Sequence, residues 1–239
     1  MIKSIVLFIL IQLALLARYV IKGEFEPFYY GMTYIFLFLP VVLYIFGKHF
    51  ADKEQNYKPN NIEDWSFYTR QKVFSNEKPL FKGDVKRGSF HRYFSKKSHY
   101  LICELIGESF FLSFKLKIDD DEYNIKSYSE KLFSNQSYWH IFKNGKQIGK
   151  AKTVVDLKNT AKLKEVIEAT FGDITYTTAA PTVTSTIKLY EGNVQIGSFG
   201  RGDELSHLIK NIKVMKVQND SPEQLISLLI HAFYFKNSK

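Results

Sequence analysis

The chain has 239 residues, a formal net charge of +9 and a single cysteine. One cysteine excludes a disulfide-stapled secreted domain. The positive charge leaves two ordinary partners, an anionic membrane surface and nucleic acid, beside the plainer role of keeping a β-rich protein soluble.

Residues 5–21 read IVLFILIQLALLARYVI and residues 28–46 read FYYGMTYIFLFLPVVLYIF. A polar link with Glu24 and Glu26 separates them. At ~1.5 Å per helical residue, either run is long enough to cross a hydrocarbon layer of ~30 Å. Arg18 interrupts the first run close enough to its end to snorkel to the interface with Lys22. A signal peptide is the competing reading, with Lys3 ahead of an apolar stretch over 5–16, but no small-residue cleavage site follows. The second run carries no charge, and Tyr29, Tyr30 and Tyr44 fall near its ends, where an aromatic belt belongs. Pro40 is tolerated in a membrane helix. The sequence therefore predicts a membrane anchor of two transmembrane helices over 1–47. Lys48, Lys53, Lys58, Arg70 and Lys72 follow the second run, against Arg18 and Lys22 at the hairpin tip. That asymmetry puts both termini and the C-terminal domain in the cytoplasm, on a multi-pass protein of the cell membrane. A membrane tether argues against nucleic acid as the partner. The abundance of Lys, Asn, Ile, Phe and Tyr is that of AT-rich bacterial genomes.

Residues 48–77 read as linker and arm, with Asn56, Pro59, Asn60 and Asn61 in the first half and a short strand or ordered arm over 65–74. One β-rich domain follows over 78–239. Residues 80–94 and 99–106 are rich in aromatic and branched side chains and read as β-like. Leu112, Phe114, Leu116 and Ile118 alternate with Lys115 and Lys117, which predicts a strand with one buried face. Residues 119–122 form an acidic turn and 123–128 the returning strand. A short helix is expected over 158–169, Thr-rich strand over 173–189, and an imperfectly alternating strand over 209–217. Residues 141–149, IFKNGKQIG, match residues 189–197, LYEGNVQIG. Asn144-Gly145 and Gly192-Asn193 suit two-residue hairpin turns, and Gly149 and Gly197 suit a bulge or a close approach of backbones. One β unit used twice is implied.

Ser221-Pro222-Glu223-Gln224 is a helix start: Ser as N-cap, Pro at the first position, Gln three after the cap. Residues 225–235, LISLLIHAFYF, then have no polar face and are too short to cross a bilayer. The expectation is a helix enclosed by sheet, with His231 a satisfied core residue.

Many strands, repeated hairpins ending in Ile-Gly, and a closing apolar helix form a recognisable set. The carrying residues are 139–149, 189–197 and 221–235. Over 78–239 the chain resembles the tubby C-terminal-like superfamily of tubby proteins, phospholipid scramblases and LURP-one-related proteins. The resemblance implies a mainly β protein, a closed β-barrel around a C-terminal hydrophobic helix. It also implies binding to anionic lipid through basic residues. Scramblases place their apolar segment at the C-terminal end, unlike this chain, which carries its apolar runs at the N-terminal end.

No phosphate loop, G-x-S-x-G, H-E-x-x-H or C-x-x-C motif is present. The six histidines are scattered. Asp119, Asp120, Asp121 and Glu122 lack calcium-loop spacing and read as a solvated turn. Arg201-Gly202-Asp203 spells an adhesion tripeptide that a cytoplasmic placement voids. The expectation is no enzyme, no cofactor and no metal. Residues 82–97, KGDVKRGSFHRYFSKK, are the segment with functional character. Lys82, Lys86, Arg87, Arg92, Lys96 and Lys97 interleave with Phe90, Tyr93 and Phe94, a pattern suited to headgroups or phosphates and equally to a Lys-rich solvent face. The leading expectation is a non-enzymatic membrane protein that binds anionic phospholipid or a membrane protein partner, in regulation or immunity. A scramblase-type lipid activity and an enzyme with an unrecognised site are the alternatives.

Overall fold

The computed structural model describes residues 2–69, 76–105, 111–128, 136–155, 164–181, 186–201 and 211–236. Residues 158–163 of the helix expected over 158–169, and Gly202-Asp203 of the tripeptide, lie outside them.

The N-terminal runs are helices α1 (Ile2–Lys22), α2 (Pro27–Thr33) and α3 (Ile35–Gln55). The pieces α1 and α2–α3 are each long and apolar enough to cross a membrane. They pack as an antiparallel pair. Gln12 Nε2 donates to Thr33 Oγ1 at 2.6 Å, and Thr33 in turn donates to the Tyr30 carbonyl at 2.7 Å. Arg18 is ion-paired with Glu26 across the hairpin tip.

Twelve strands form a closed antiparallel barrel in simple up-and-down order, sealed by pairing between the first and last. They are β1 (Trp65–Tyr68), β2 (Lys78–Lys82), β3 (Val85–Tyr93), β4 (Ser113–Ile118), β5 (Asp121–Tyr128) and β6 (Tyr138–Lys143). The second half comprises β7 (Lys146–Thr153), β8 (Lys164–Phe171), β9 (Ile174–Pro181), β10 (Ile187–Glu191), β11 (Val194–Arg201) and β12 (Ile212–Lys216). The mainly β barrel expected from the sequence is what forms. Closure leaves no exposed edge to recruit another chain.

The barrel has two unlike ends. Two-residue turns join β2–β3, β4–β5, β6–β7, β8–β9 and β10–β11, and in an up-and-down barrel all five fall at one end. The longer connections, including helix α4 (Lys97–Leu105) between β3 and β4, fall at the other.

The hairpin unit occurs three times, not twice. Residues 80–88, LFKGDVKRG, join 141–149 and 189–197. Each has a register shift after Leu80, Ile141 or Leu189, and each of these residues faces the glycine that ends the unit. A Cβ on Gly88, Gly149 or Gly197 would stand 2.1, 2.6 or 2.5 Å from a carbonyl oxygen of the next strand. Only glycine admits that approach.

The C-terminal helix α5 (Pro222–His231) enters from the tight-turn end, because β12 runs towards it. Ser221 Oγ accepts the Gln224 amide at 3.4 Å, and Gln224 Oε1 accepts the Gln218 amide at 2.9 Å. These are the cap residues expected from the sequence. Leu225, Ile226, Leu228, Leu229 and Ile230 are completely buried inside the barrel. Each contributes roughly 2 kcal/mol at most. His231 is a buried core residue, as anticipated: Thr178 Oγ1 donates to the Ile167 carbonyl at 3.2 Å, so His231 Nδ1–H donates to Thr178 Oγ1 at 2.9 Å. Beyond the helix, Phe233 packs against Phe67, Phe90 and Phe114, and Tyr234 against Trp139, towards the long-connection end.

Three local expectations are corrected. Residues 99–105 of the segment expected as β-like over 99–106 are not strand: Lys97–Leu105 form α4, a short apolar run with no decisive period. Residues 164–169 are not helix but lie in β8, because ladders with β7 and β9 on both sides override the helical preference of Lys, Glu and Ala. The first half of 48–77 is not all linker: helix α3 continues to Gln55, while Trp65–Tyr68 is a short strand, as expected there, and closes the barrel.

That segment also bolts the helices to the barrel. Glu54, at the end of α3, is fully buried and ion-paired with the Lys78 ammonium of β2, with Asn76 Nδ2 donating to the same carboxylate oxygen at 3.1 Å. Burial pulls the Lys78 pKa below its usual value, opposed by the Glu54 charge and hydrogen bond. Tyr57 then lies over Tyr68 and Phe81 and donates to Ser66 Oγ at 3.2 Å. Lys78→Ala strands a buried carboxylate and should cost about 3–5 kcal/mol, whereas Glu54→Gln with Lys78→Met should cost far less. Denaturant unfolding of the full-length protein in detergent measures both; a double variant that loses as much as Lys78→Ala would show that the two residues do not act as a pair.

Candidate functional site

Strand β3 splits the six expected basic residues into two groups. Arg87 and Arg92 are five residues apart on it, or ~16 Å along an extended strand. Lys82, Lys86 and Arg87 lie at the tight-turn end; Arg92, Lys96 and Lys97 lie at the end that carries α4.

The first group is mostly occupied by a structural clasp. Asp220, at φ 51° just before α5, accepts the Trp65 indole N–H at 2.9 Å and the Lys82 ammonium at 3.0 Å, and stands 3.8 Å from Arg87. Arg87 makes a two-pronged bond to Asp119, with Nε to Oδ1 at 2.9 Å, and its guanidinium lies 5.7 Å from the Trp65 ring. β1, β2, β3, the β4–β5 turn and the entry to α5 meet in this cluster. Burial alone would raise the Asp220 pKa; the hydrogen bonds from Lys82 and Trp65 and the charges of Lys82 and Arg87 outweigh it and hold the carboxyl below its ordinary value. The Arg87 hydrogen bond does the same for Asp119. Two further acids of that turn are also engaged: Asp121 with Lys143 at 2.7 Å and Glu122 with Lys115 at 2.8 Å. Lys86 is exposed on the same rim.

The second group lines an open cleft of about 680 Å³. The end of β3 and its exit supply His91, Arg92, Tyr93 and Phe94, and the start of α4 adds Lys96, Lys97, Tyr100 and Leu101. These four residues are consecutive because the cleft lies where β3 ends at Tyr93, and the bend through Ser95 and Lys96 brings α4 back alongside the strand end. The Arg92 guanidinium lies 4.7 Å over the Phe94 ring, with Nη2 3.6 Å from Cys103 Sγ. Phe94 meets Tyr100 edge-on at 5.6 Å. Tyr93 donates to Asn124 Oδ1 at 2.7 Å, and burial raises its pKa, so it stays a neutral phenol. His99 stacks on Phe111 at 4.0 Å; burial, then the Lys96 charge, lowers its pKa. Arg92, Lys96 and Lys97 are the arginine and lysines that line the cleft.

Helix α4 packs against α1, and the end of α3 against β2, so the cleft sits on the barrel end nearest the N-terminal helices. Tyr100 and Leu101 were not anticipated as site residues, because their segment reads as strand. The signal available was Lys97 and Leu101 four apart, with Tyr100 and Cys103 three apart, both helical spacings. Among the described residues, no three His, Cys, Asp or Glu side chains cluster to hold a metal ion. Arginine on an aromatic face beside two exposed lysines is chemistry for anionic oxygens.

No protein-family model matches the chain, and neither does any curated protein or solved structure with which it was compared.

The clasp has a pH signature. Asp220 and Asp119 have folded-state pKa values below their unfolded ones. Their contribution is complete above the unfolded value of ~3.9 and is lost as pH falls through the folded one. Unfolding midpoints should therefore drop below about pH 4, and Asp220→Asn should start lower at neutral pH and fall less steeply. Parallel acid profiles for parent and variant would contradict this role.

Proposed function

We propose that the chain is a non-enzymatic membrane protein whose barrel belongs to the tubby-like fold and reads the anionic phospholipid of its own membrane. Helices α1 and α2–α3 cross as a hairpin. The barrel stands on the cytoplasmic side, where Lys48, Lys53 and Lys58 follow the second span, while Arg18 at the tip is partly neutralised by Glu26. A closed twelve-stranded barrel around an apolar helix is compatible with the fold that the sequence resembles. The observation that carries the lipid reading is the grouping of Arg92, Lys96 and Lys97 with Phe94 and Tyr100 around one cleft, on the barrel end from which α3 leaves. A cation near an anionic leaflet gains roughly 1 kcal/mol. Lys82 and Arg87, clasped to Asp220 and Asp119, serve the barrel instead.

The test uses full-length protein in neutral detergent, titrated with short-chain phosphatidylglycerol or phosphatidylcholine and followed by its thermal unfolding. Phosphatidylglycerol should bind in a salt-sensitive way, because exposed charges are screened over ~8 Å at physiological ionic strength. Changing Arg92, Lys96 and Lys97 together to Gln should weaken it on the order of a hundredfold at low salt, while Lys86→Gln leaves it intact. Equal affinity for the two lipids, or equal losses in both variants, would overturn the reading.

A further inference from the structure

Helix α4 presents a large apolar side chain that the barrel does not cover. Cys103 faces inward and is buried, with its sulfur beside Arg92. Leu101 faces away and is 48 % exposed. Lys97, one turn earlier, is exposed as well, and Lys96 stands just ahead of the helix. An exposed leucine with lysines a turn away suits the boundary between headgroups and acyl chains: the leucine enters the apolar layer while the lysine stems reach back to phosphates.

The position of α4 agrees. It packs on α1. The C-terminal end of α1 turns into α2 at the hairpin tip, and α3 carries the chain back to the barrel. The end of α1 beside the barrel is therefore its start, where the apolar run begins at Ile5. α4 thus stands at the level where a membrane crossed by α1 has its surface.

We propose that α4 is an in-plane membrane helix, seated in the cytoplasmic surface with Leu101 below the headgroups, and that it fixes the cleft mouth against the lipid. The proposal rests on the reading of α1 and α3 as membrane spans but not on the cleft's choice of headgroup. The occupant of the Leu101 face is the bilayer to which the chain is tethered.

The experiment places an environment-sensitive fluorophore at Leu101→Cys in a Cys103→Ala background, in the full chain reconstituted into phosphatidylcholine–phosphatidylglycerol vesicles. The same label at Val194→Cys, exposed on a tight turn at the far end, is the reference. Lipids spin-labelled at shallow or deep acyl positions act as quenchers, and near-ultraviolet circular dichroism verifies that each labelled protein is folded. The label at 101 should emit to the blue of the label at 194 and be quenched several-fold more, most by the shallow quencher. If both positions are quenched alike while the protein resists alkaline carbonate, the spans stand and the α4 proposal falls. A blue-shifted label at 101 that lipid does not quench means a protein surface covers it, which also overturns the proposal. If carbonate strips the protein from the vesicles, the membrane reading fails and takes the α4 proposal with it.

Discussion

A helix with no polar face is stable in water only when something encloses it. Residues 225–230 impose that condition here, and the barrel is the answer to it. The strands alternate so that Phe114, Leu116, Ile125, Ile141, Ile167 and Leu189 point inward and are almost fully removed from solvent. Twelve strands give an interior wide enough for a helix rather than for side chains alone. The wall must then close completely, because a gap would expose both the helix and two strand edges. Short β1 supplies the last pairing on both sides, to β2 and β12. The Asp220 cluster locks that seam at the point where α5 enters.

Filling the barrel with its own chain has a functional consequence. Helix α5 and the inward-facing side chains form one core inside the barrel, and the cleft lies on a rim. The tight-turn rim is short, and Asp119, Asp121 and Glu122 of its acidic turn are paired within the wall. The other rim carries α4, the cleft and the buried Glu54–Lys78 attachment of α3. Asymmetry of the connections thus separates a rim that serves stability from a rim that faces the N-terminal helices. The basic segment spans both, and its cations work for the rim on which each one lands.

How much of this was legible depended on whether the cause was local. Helix α5 announces itself because its cap residues and its unbroken apolar run are contiguous. The hairpins at Asn144-Gly145 and Gly192-Asn193 do so because positive φ demands such residues. The third copy, at 80–88, ends in Lys-Arg-Gly rather than Gln-Ile-Gly and escapes a search on side chains, although its backbone does the same thing. Strand β1 has only four residues, and its outward-facing Ser66 is buried by Tyr57 rather than by anything in its own pattern. In the site, the run of cations over 82–97 could be read directly. Which of them are clasped could not, because Asp119 and Asp220 are distant in sequence. The α4 half of the cleft was hidden by a run whose helical period only the fold resolves.

The account makes enclosure of α5 the condition for the rest of the structure. Amide hydrogen exchange of the full-length protein in micelles, resolved over residues 224–231, tests it most directly. If the barrel holds the helix, these amides exchange only when the whole barrel unfolds, as slowly as any in the chain and at one common opening free energy with β4 and β5. Faster exchange across α5 than across β4 and β5 would mean that the helix leaves a barrel that persists without it, and would contradict the account.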